Sequence, residues 1–515
     1  MEATDPKARP RVIVTTDMEV DDMNSMIHLC LYLNELDVEA FVYTASKYHF
    51  LGDGTHTLGE ITPNYSTSGR LAYEGRIGYP HRDPDGGSLR SYRPFPEGWI
   101  ESLWANEYAE ALPHLLSNAP GYPSPEELLA RTYRGNVDFE GDVRFATPGS
   151  DAIAEAILDD DPRTLWLLSW GGVNTIVRAL MTIAERWQGT PQWEDVRAKV
   201  YRKVRVLGVQ DGKGQDTSWA DHGQPLFPEL RLMRTEFFYG HYLSAKFEQL
   251  DCRHMFQAPW PKTMLLDGNG PLMGRYMLYG DGREYEGEPD RFQFGLHPVL
   301  DWGFDGMPAF EFNDLDFMAE GDSMTYIPLL PVGLRGVAAD GSEEAGFETI
   351  LGRLWQDGGE KPAPVYDWMA GGIADGSKGI MGSAGANPCE RAYQEEFAAR
   401  AQWCAHGFDE CNHAPVITGV SPDVEAASGD VVELHAHATD PDGDELRVCW
   451  HYDHLASHYE GIADNPRAFE PTRLSTRAVV PTDAKPGNRL VWTLEVQDVA
   501  ERPLTRYAQV AVTVA

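Results

Sequence analysis

The first clear pattern in the chain is an apolar run, Val12-Ile13-Val14, closed by Thr15 and Thr16. The β-branched character of this run predicts a buried strand. A helical pattern follows it, with Met23, Met26, Ile27, Cys30 and Leu31 at spacings of three and four. The alternation recurs up to about residue 412. Residues 38–44, 164–169 and 203–209 read as strands, and 150–158 and 173–187 as helices. This is the α/β pattern, which implies a mainly parallel, Rossmann-like sheet flanked by helices. Two long irregular stretches interrupt it, 49–99 and 259–312, both rich in Gly, Pro, Tyr and Trp. Loops of that size in a compact domain form rims or lids over a site.

After Asn412-His413-Ala414-Pro415 the period changes. Short alternating segments follow at 416–420, 431–438, 445–452, 477–480, 489–496 and 508–514. They are separated by turn signals such as Asp440-Pro441-Asp442-Gly443-Asp444. A hundred residues of this kind predict an all-β, immunoglobulin-like sandwich. The expected organisation is therefore an α/β domain over 1–412 and a β-sandwich over 413–515, as 515 residues would suggest.

Composition narrows the partners. Asp plus Glu number 80 against 43 Lys plus Arg, a net charge of −37. Such a surface repels phosphate backbones and anionic lipid, so neither nucleic acid nor membrane is an expected partner. No apolar run is long enough to span a bilayer. Residues 1–11 are polar and contain no apolar signal core, so the expected location is the cytoplasm or, for a mature processed form, the periplasm or exterior. Six cysteines occur without a CxxC pair, which argues against structural zinc. Cys404 and Cys411 are close enough in sequence for a loop disulfide, with free thiols as the alternative.

The candidate chemistry lies where the first strand meets the first helix. Asp17, Asp21 and Asp22 follow the apolar run at once. Open α/β sheets bind ligands at the carboxyl ends of their strands. Three acids so placed repel one another unless water or a cation intervenes, and a hard, oxygen-seeking ion such as Ca²⁺ is the simplest answer. The plainer alternative is a set of acids favoured by the helix N-terminus, and spacing alone does not separate the two. Asp440, Asp442 and Asp444 pose the same choice, and the Asp-Pro-Asp-Gly-Asp sequence favours a turn.

The segment Asp17-Met18-Glu19-Val20-Asp21-Asp22 resembles the aspartate fingerprint of nucleoside hydrolases, Asp-Pro-Gly-x-Asp-Asp. It departs at Met18 and Glu19, and Thr15 stands where that family has a further acid. Ser169-Trp170-Gly171-Gly172-Val173-Asn174-Thr175 is similar to the Gly-rich turn that lends the family's calcium a main-chain oxygen. Glu320-Gly321-Asp322-Ser323 resembles the segment carrying its distal aspartate. Over nearly its whole length the chain resembles cellulose-binding-protein-like chains, with a nucleoside-hydrolase-like domain followed by a β-sandwich. The resemblance implies Ca²⁺ held by Asp17, Asp22, Asp322 and the main-chain oxygen of Asn174. It implies Asp17 as the base activating water, and Asp21 and Ser46 as sugar contacts.

Trp170, Trp219 and Asp211 are further expected substrate contacts, since aromatic rings line sugar clefts. Core packing and a solvated turn are their alternatives. Gly321 occupies the position where the family often has a His that helps the leaving group. Glu19, Glu60, Glu320, His49 and His56 are then candidate proton donors, none preferred. Three functions follow, in order: a Ca²⁺-dependent glycosidase cleaving a furanosyl bond with inversion, a nucleoside N-ribohydrolase, and a non-catalytic carbohydrate-binding protein. The expected partner is a small sugar, glycoside or oligosaccharide, and a homodimer is left open.

Overall fold

The computed structural model describes residues 9–46, 49–56, 98–208, 215–235, 252–283, 299–300, 310–318, 320–336, 342, 354–356, 390–453, 456–459, 461 and 466–515. Strands β1 (Arg11–Thr16), β2 (Asp37–Tyr43), β3 (Thr132–Arg134), β4 (Leu165–Trp170), β5 (Val204–Gly208) and β6 (Leu232–Thr235) form a parallel sheet in the order β3-β2-β1-β4-β5-β6. Two-residue strands β7 (Val299–Leu300) and β8 (Phe310–Glu311) pair separately. Strand β9 (Leu354–Gln356) closes the main sheet antiparallel to β6. Because β1 is central, both faces of its apolar run are buried. Val12 and Val14 join one core and Ile13 the other. The same split divides Trp166 and Leu168 from Leu165 and Leu167 on β4. A parallel sheet covered on both sides requires this continuous apolar character.

Helices supply the two covering layers. The helix α1 (Val20–Cys30) lies on the Val12 face, contributing Met23, Met26 and Ile27. On the Ile13 face are α2 (Pro148–Leu158) and α3 (Asn174–Trp187), contributing Ile153, Ile157, Ile176, Val177 and Leu180. A Thr147–Ser150 capping box and Pro148 start α2. The helix α4 (Trp193–Lys203) leads directly into β5.

The C-terminal strands form two sheets, consistent with a β-sandwich. One contains β10 (Val416–Val420), β12 (Val431–Thr439) and β14 (Ser475–Val479). The other contains β11 (Val424–Ala426), β16 (Thr505–Val514), β15 (Arg489–Asp498) and β13 (Leu446–Tyr452), in that order. Trp450, Trp492, Leu434 and Val496 pack between them. Strand β16 also meets the α/β region, since Tyr507 N–H donates to Val332 O at 2.9 Å and Arg335 N–H to Gln509 Oε1 at 2.7 Å. The helix α5 (Glu390–Trp403) lies between, with Glu396 accepting from Arg506 of β16 and from Arg400 on its own helix. Cys404 and Cys411 are free thiols. No helix among the described residues is long and apolar enough to cross a membrane.

Candidate functional site

The carboxyl ends of β1, β2 and β4 come together at the point where strand order reverses around β1. Thr16 is in register with Tyr43 on one side and Trp170 on the other. Beyond these residues the chain has to turn sharply. Met18 does so with φ 64°, a left-handed conformation that costs a non-glycine residue energy and is tolerated mainly at functional sites. Glu19 returns to extended geometry as the N-cap of α1, and Asp21 and Asp22 occupy its first turn.

Four carboxylates converge there. Asp17 and Asp22 are 1% exposed, Asp322 6% and Asp21 8%. Carboxylate oxygens of Asp21, Asp22 and Asp322 all lie within 4.8 Å of one another. Burial, then the charges of Asp322, Asp17 and Asp21, push the Asp22 carboxyl well above its ordinary range, against a hydrogen bond from Thr16. Burial, then Asp21 and Asp17, do the same to Asp322. Such shifts mark a cluster short of positive charge. A cation among them reverses the local logic and favours every ionised form. An all-oxygen donor set suits a hard cation. These residues can therefore hold an ion.

The glycines of the second segment are set by close approach. A Cβ at Gly171 would lie 2.7 Å from Asp17 Cγ. One at Gly172 would lie 2.0 Å from Ala45 O and 2.4 Å from Asp216 Oδ2. Asn174 opens α3, and its side chain is fully engaged: Thr44 donates to it at 2.7 Å, and it donates to Asn136 O and Asp142 O. Its N–H donates to Asp216. The main chain at Gly171 is pressed against the Asp17 side chain. Asp216, whose carboxyl burial pushes up, ties this turn to Ser218.

The remaining expected contacts divide. Ser46 is buried just past β2, where its hydroxyl accepts from His49 N–H at 3.2 Å. Both tryptophans are buried. Trp170 is 2% exposed and donates its indole N–H to Thr325 at 2.7 Å. Trp219 is 4% exposed within the core on the α3 side. Both satisfy packing, which a single sequence does not distinguish from stacking. Asp211 lies outside the described residues, as does Glu60.

The proton-donor candidates also separate. His56 is exposed and paired with Asp53. Glu320 is fully buried and accepts from His28 Nδ1 at 2.6 Å. Glu19 is nearly buried beside Asp17, and His49 Nε2 lies 3.8 Å from its carboxylate. In the sandwich, Asp440 Oδ1 accepts from the N–H groups of Asp442 and Asp444, as a turn requires.

Residues 11–346 match the model of a family described as cellulose-binding Sde182, nucleoside hydrolase-like domain. The chain belongs to that family. Residues 431–514 match the C-terminal domain of cellulose-binding protein Sde0182. Among solved structures, the chain is similar to a nucleoside hydrolase-related hypothetical protein from Saccharophagus degradans, described as associated with carbohydrate metabolism. That match has a TM-score of 0.62 at 21% identity and covers 98% of this chain and 100% of the other. Titin domain M7 matches with a TM-score of 0.15 at 15% identity, over 20% of this chain and 96% of that one. No curated protein matches the sequence. The nucleoside-hydrolase-like fold and the carbohydrate-associated family agree with the resemblance read from Asp17–Asp22, 169–175 and 320–323.

Proposed function

We propose that the protein is a Ca²⁺-dependent glycosidase that cleaves a furanosyl bond bearing a cis-diol, with inversion. The observation carrying this reading is the convergence of Asp21, Asp22 and Asp322 in one buried cluster at the sheet's switch point, with the buried Asp17 near enough for its charge to act on Asp22 and Asp322. A bound Ca²⁺ supplies positive charge that acidifies water and orients vicinal hydroxyls. Asp22 and Asp322 would hold the ion, together with Asp17. Asp17 takes the proton of the attacking water, and its place against Gly171 leaves its carboxylate little freedom. Asp21 accepts a hydrogen bond from a sugar hydroxyl, and the surrounding carboxylates stabilise positive charge developing on the ring. Direct attack by water at the anomeric carbon inverts its configuration. A sugar alkoxide needs a proton as it leaves, and the candidate donor is Glu19, whose backbone N–H bonds Asp17 and whose carboxylate lies 3.8 Å from His49 Nε2. The family description and the carbohydrate association of the S. degradans relative support a glycoside over a nucleoside.

Gly321 favours a second reading, in which the site binds carbohydrate without hydrolysis. A side chain there would collide with Asp21 Oδ2, so no residue at that position assists a leaving group. The two readings share the ion and differ in turnover. Calorimetric titration of chelator-treated protein with Ca²⁺, alongside Asp17→Ala and Asp322→Ala, tests the ion. A panel of furanosides and nucleosides then tests turnover. Binding lost in both variants together with furanoside hydrolysis is the expected result. Binding without turnover on any member leaves the second reading, and absence of binding removes both.

A further inference from the structure

Behind the acidic cluster lies a second buried carboxylate with a different environment. Glu320 is fully buried and accepts from donors on three segments. His28 Nδ1 on α1 is 2.6 Å away, Ser323 Oγ in its own turn is 2.6 Å away, and Tyr276 OH bonds the other oxygen. All three partners can donate to this carboxyl group, His28 through the tautomer that carries the proton on Nδ1. The His28 ring is itself fixed, stacked on Phe397 of α5 with centroids 3.7 Å apart.

The position of this group is informative. Asp21, Ser25 and His28 recur along α1 at steps of four and three, which places them on one helix face. Each meets the same turn, residues 320–326. Asp21 abuts Gly321, Ser25 Oγ accepts from Asp322 N–H at 3.4 Å, and His28 holds Glu320. The far side of the turn is held too. Thr325 Oγ1 donates to Asp322 O at 2.8 Å and receives the Trp170 indole N–H, and Tyr326 OH donates to Ser323 Oγ at 3.1 Å.

We infer that Glu320, anchored by His28 and Tyr276, is a positioning residue that sets the Asp322 carboxylate against Asp21 and Asp22 for ion binding. The inference rests on the ion-site reading above. Asp322 arrives from a segment about three hundred residues away in sequence from α1, on a turn with no strand of its own. Something has to fix the turn against α1 to within the tolerance of an ion site. Apolar packing would stabilise the junction equally well without fixing its direction, whereas a carboxylate with three donors is directional. Partners behind metal ligands typically alter affinity 10- to 100-fold when removed.

The test is Ca²⁺ titration of the chelator-treated full chain carrying Glu320→Gln, His28→Phe or Tyr276→Phe, with thermal unfolding in chelator as the folding control. Asp453→Asn serves as a comparison, since Asp453 is a buried carboxylate bonded to Thr493 and Gln509 in the sandwich. Glu320→Gln and His28→Phe should weaken Ca²⁺ binding by about 10- to 100-fold. Tyr276→Phe removes one hydroxyl only and should weaken it less, with folding preserved, and Asp453→Asn should leave the affinity unchanged. A purely structural role would lower stability in all four variants without singling out affinity. Parental affinity in a folded Tyr276→Phe and in either of the other two site variants overturns the inference and leaves the ion site standing. Absence of binding in the parent overturns both.

Discussion

A Cβ added at Gly321 would sit 2.3 Å from Asp21 Oδ2, so the turn carrying Asp322 is pressed directly onto the first turn of α1. A side chain at the position that resembles the nucleoside-hydrolase His would therefore require the Asp21 carboxylate to move. Gly321→Ala should cost about 1–3 kcal/mol through overpacking and should also weaken ion binding, because Asp21 has to move. Gly321→His should not create a working proton donor. Urea unfolding together with Ca²⁺ titration measures both effects, and an unchanged affinity in Gly321→Ala would show that Asp21 can shift freely.

The second contact of consequence joins the sandwich to the α/β region. Arg506 on β16 and Arg400 on α5 share the buried Glu396, and Arg400 continues to Glu35 and to Leu31 O just past α1. Burial pushes the Glu396 carboxyl up, but the two guanidinium groups outweigh it and hold it below its ordinary range. Glu396→Ala would leave the buried Arg400 and the partly buried Arg506 facing each other and should cost about 3–5 kcal/mol. Glu396→Gln should cost less. Denaturant midpoints at constant slope are the measurement, and a loss under 1 kcal/mol in the alanine variant would mean that water reaches the guanidiniums.

Removal of residues 413–515 extends the same argument. Tyr507 packs in the α/β core, and a Cβ at Gly333 would lie 1.9 Å from Tyr507 O. Truncation uncovers this surface, so the shortened chain should aggregate or sediment as large species. A monodisperse truncated chain that still binds Ca²⁺ would contradict that and make the sandwich an independent module.

The site was partly legible in the sequence, and the division follows sequence distance. Asp17, Asp21 and Asp22 are local to one strand–turn–helix, so period and composition alone bring them together. Asp322 came only through resemblance, because nothing in a lone Asp after Gly321 indicates that it returns to α1. The Glu320–His28 pair spans 292 positions, and a single His among Met26, Ile27 and Leu29 looks like ordinary core. Trp170 and Trp219 are ambiguous in the sequence for a different reason. Indoles are amphipathic, and the same residue serves a core or a cleft according to packing that a sequence does not display. Met18 resembles nothing in the fingerprint, yet it carries the left-handed turn for which glycine would be the default residue.

The pH dependence of the sandwich should be set partly by Asp498. Burial pushes its carboxyl up to about 6, against hydrogen bonds from Asn412 and Leu504. A carboxyl raised in the folded state binds more protons there than in the unfolded chain between about pH 4 and 6. Stability from this group therefore falls as pH rises through that window. Allowing for solvent screening, the loss is on the order of 1–2 kcal/mol. Asp498→Asn should flatten the slope between pH 4 and 6 in urea unfolding followed by tryptophan fluorescence. An identical slope in the variant would assign the titration to other groups.

Ion removal should reverse the ranking of one pair of proteins. In chelator burial, and then the charges of the neighbouring carboxylates, push the Asp22 and Asp322 carboxyls up, which is a cost of keeping them ionised. Asp322→Asn removes a charge and should be more stable than the parent there, by on the order of 1 kcal/mol at neutral pH. With Ca²⁺ at a hundred times the parent's Kd, the parent gains about 2.7 kcal/mol by mass action. The variant, short of one ligand, gains far less. The melting temperatures should therefore cross on adding Ca²⁺, with the parent below the variant in chelator and above it in the ion. A purely structural cluster of acids would give the variant the higher melting temperature in both conditions, because no ligand would be present to convert repulsion into binding.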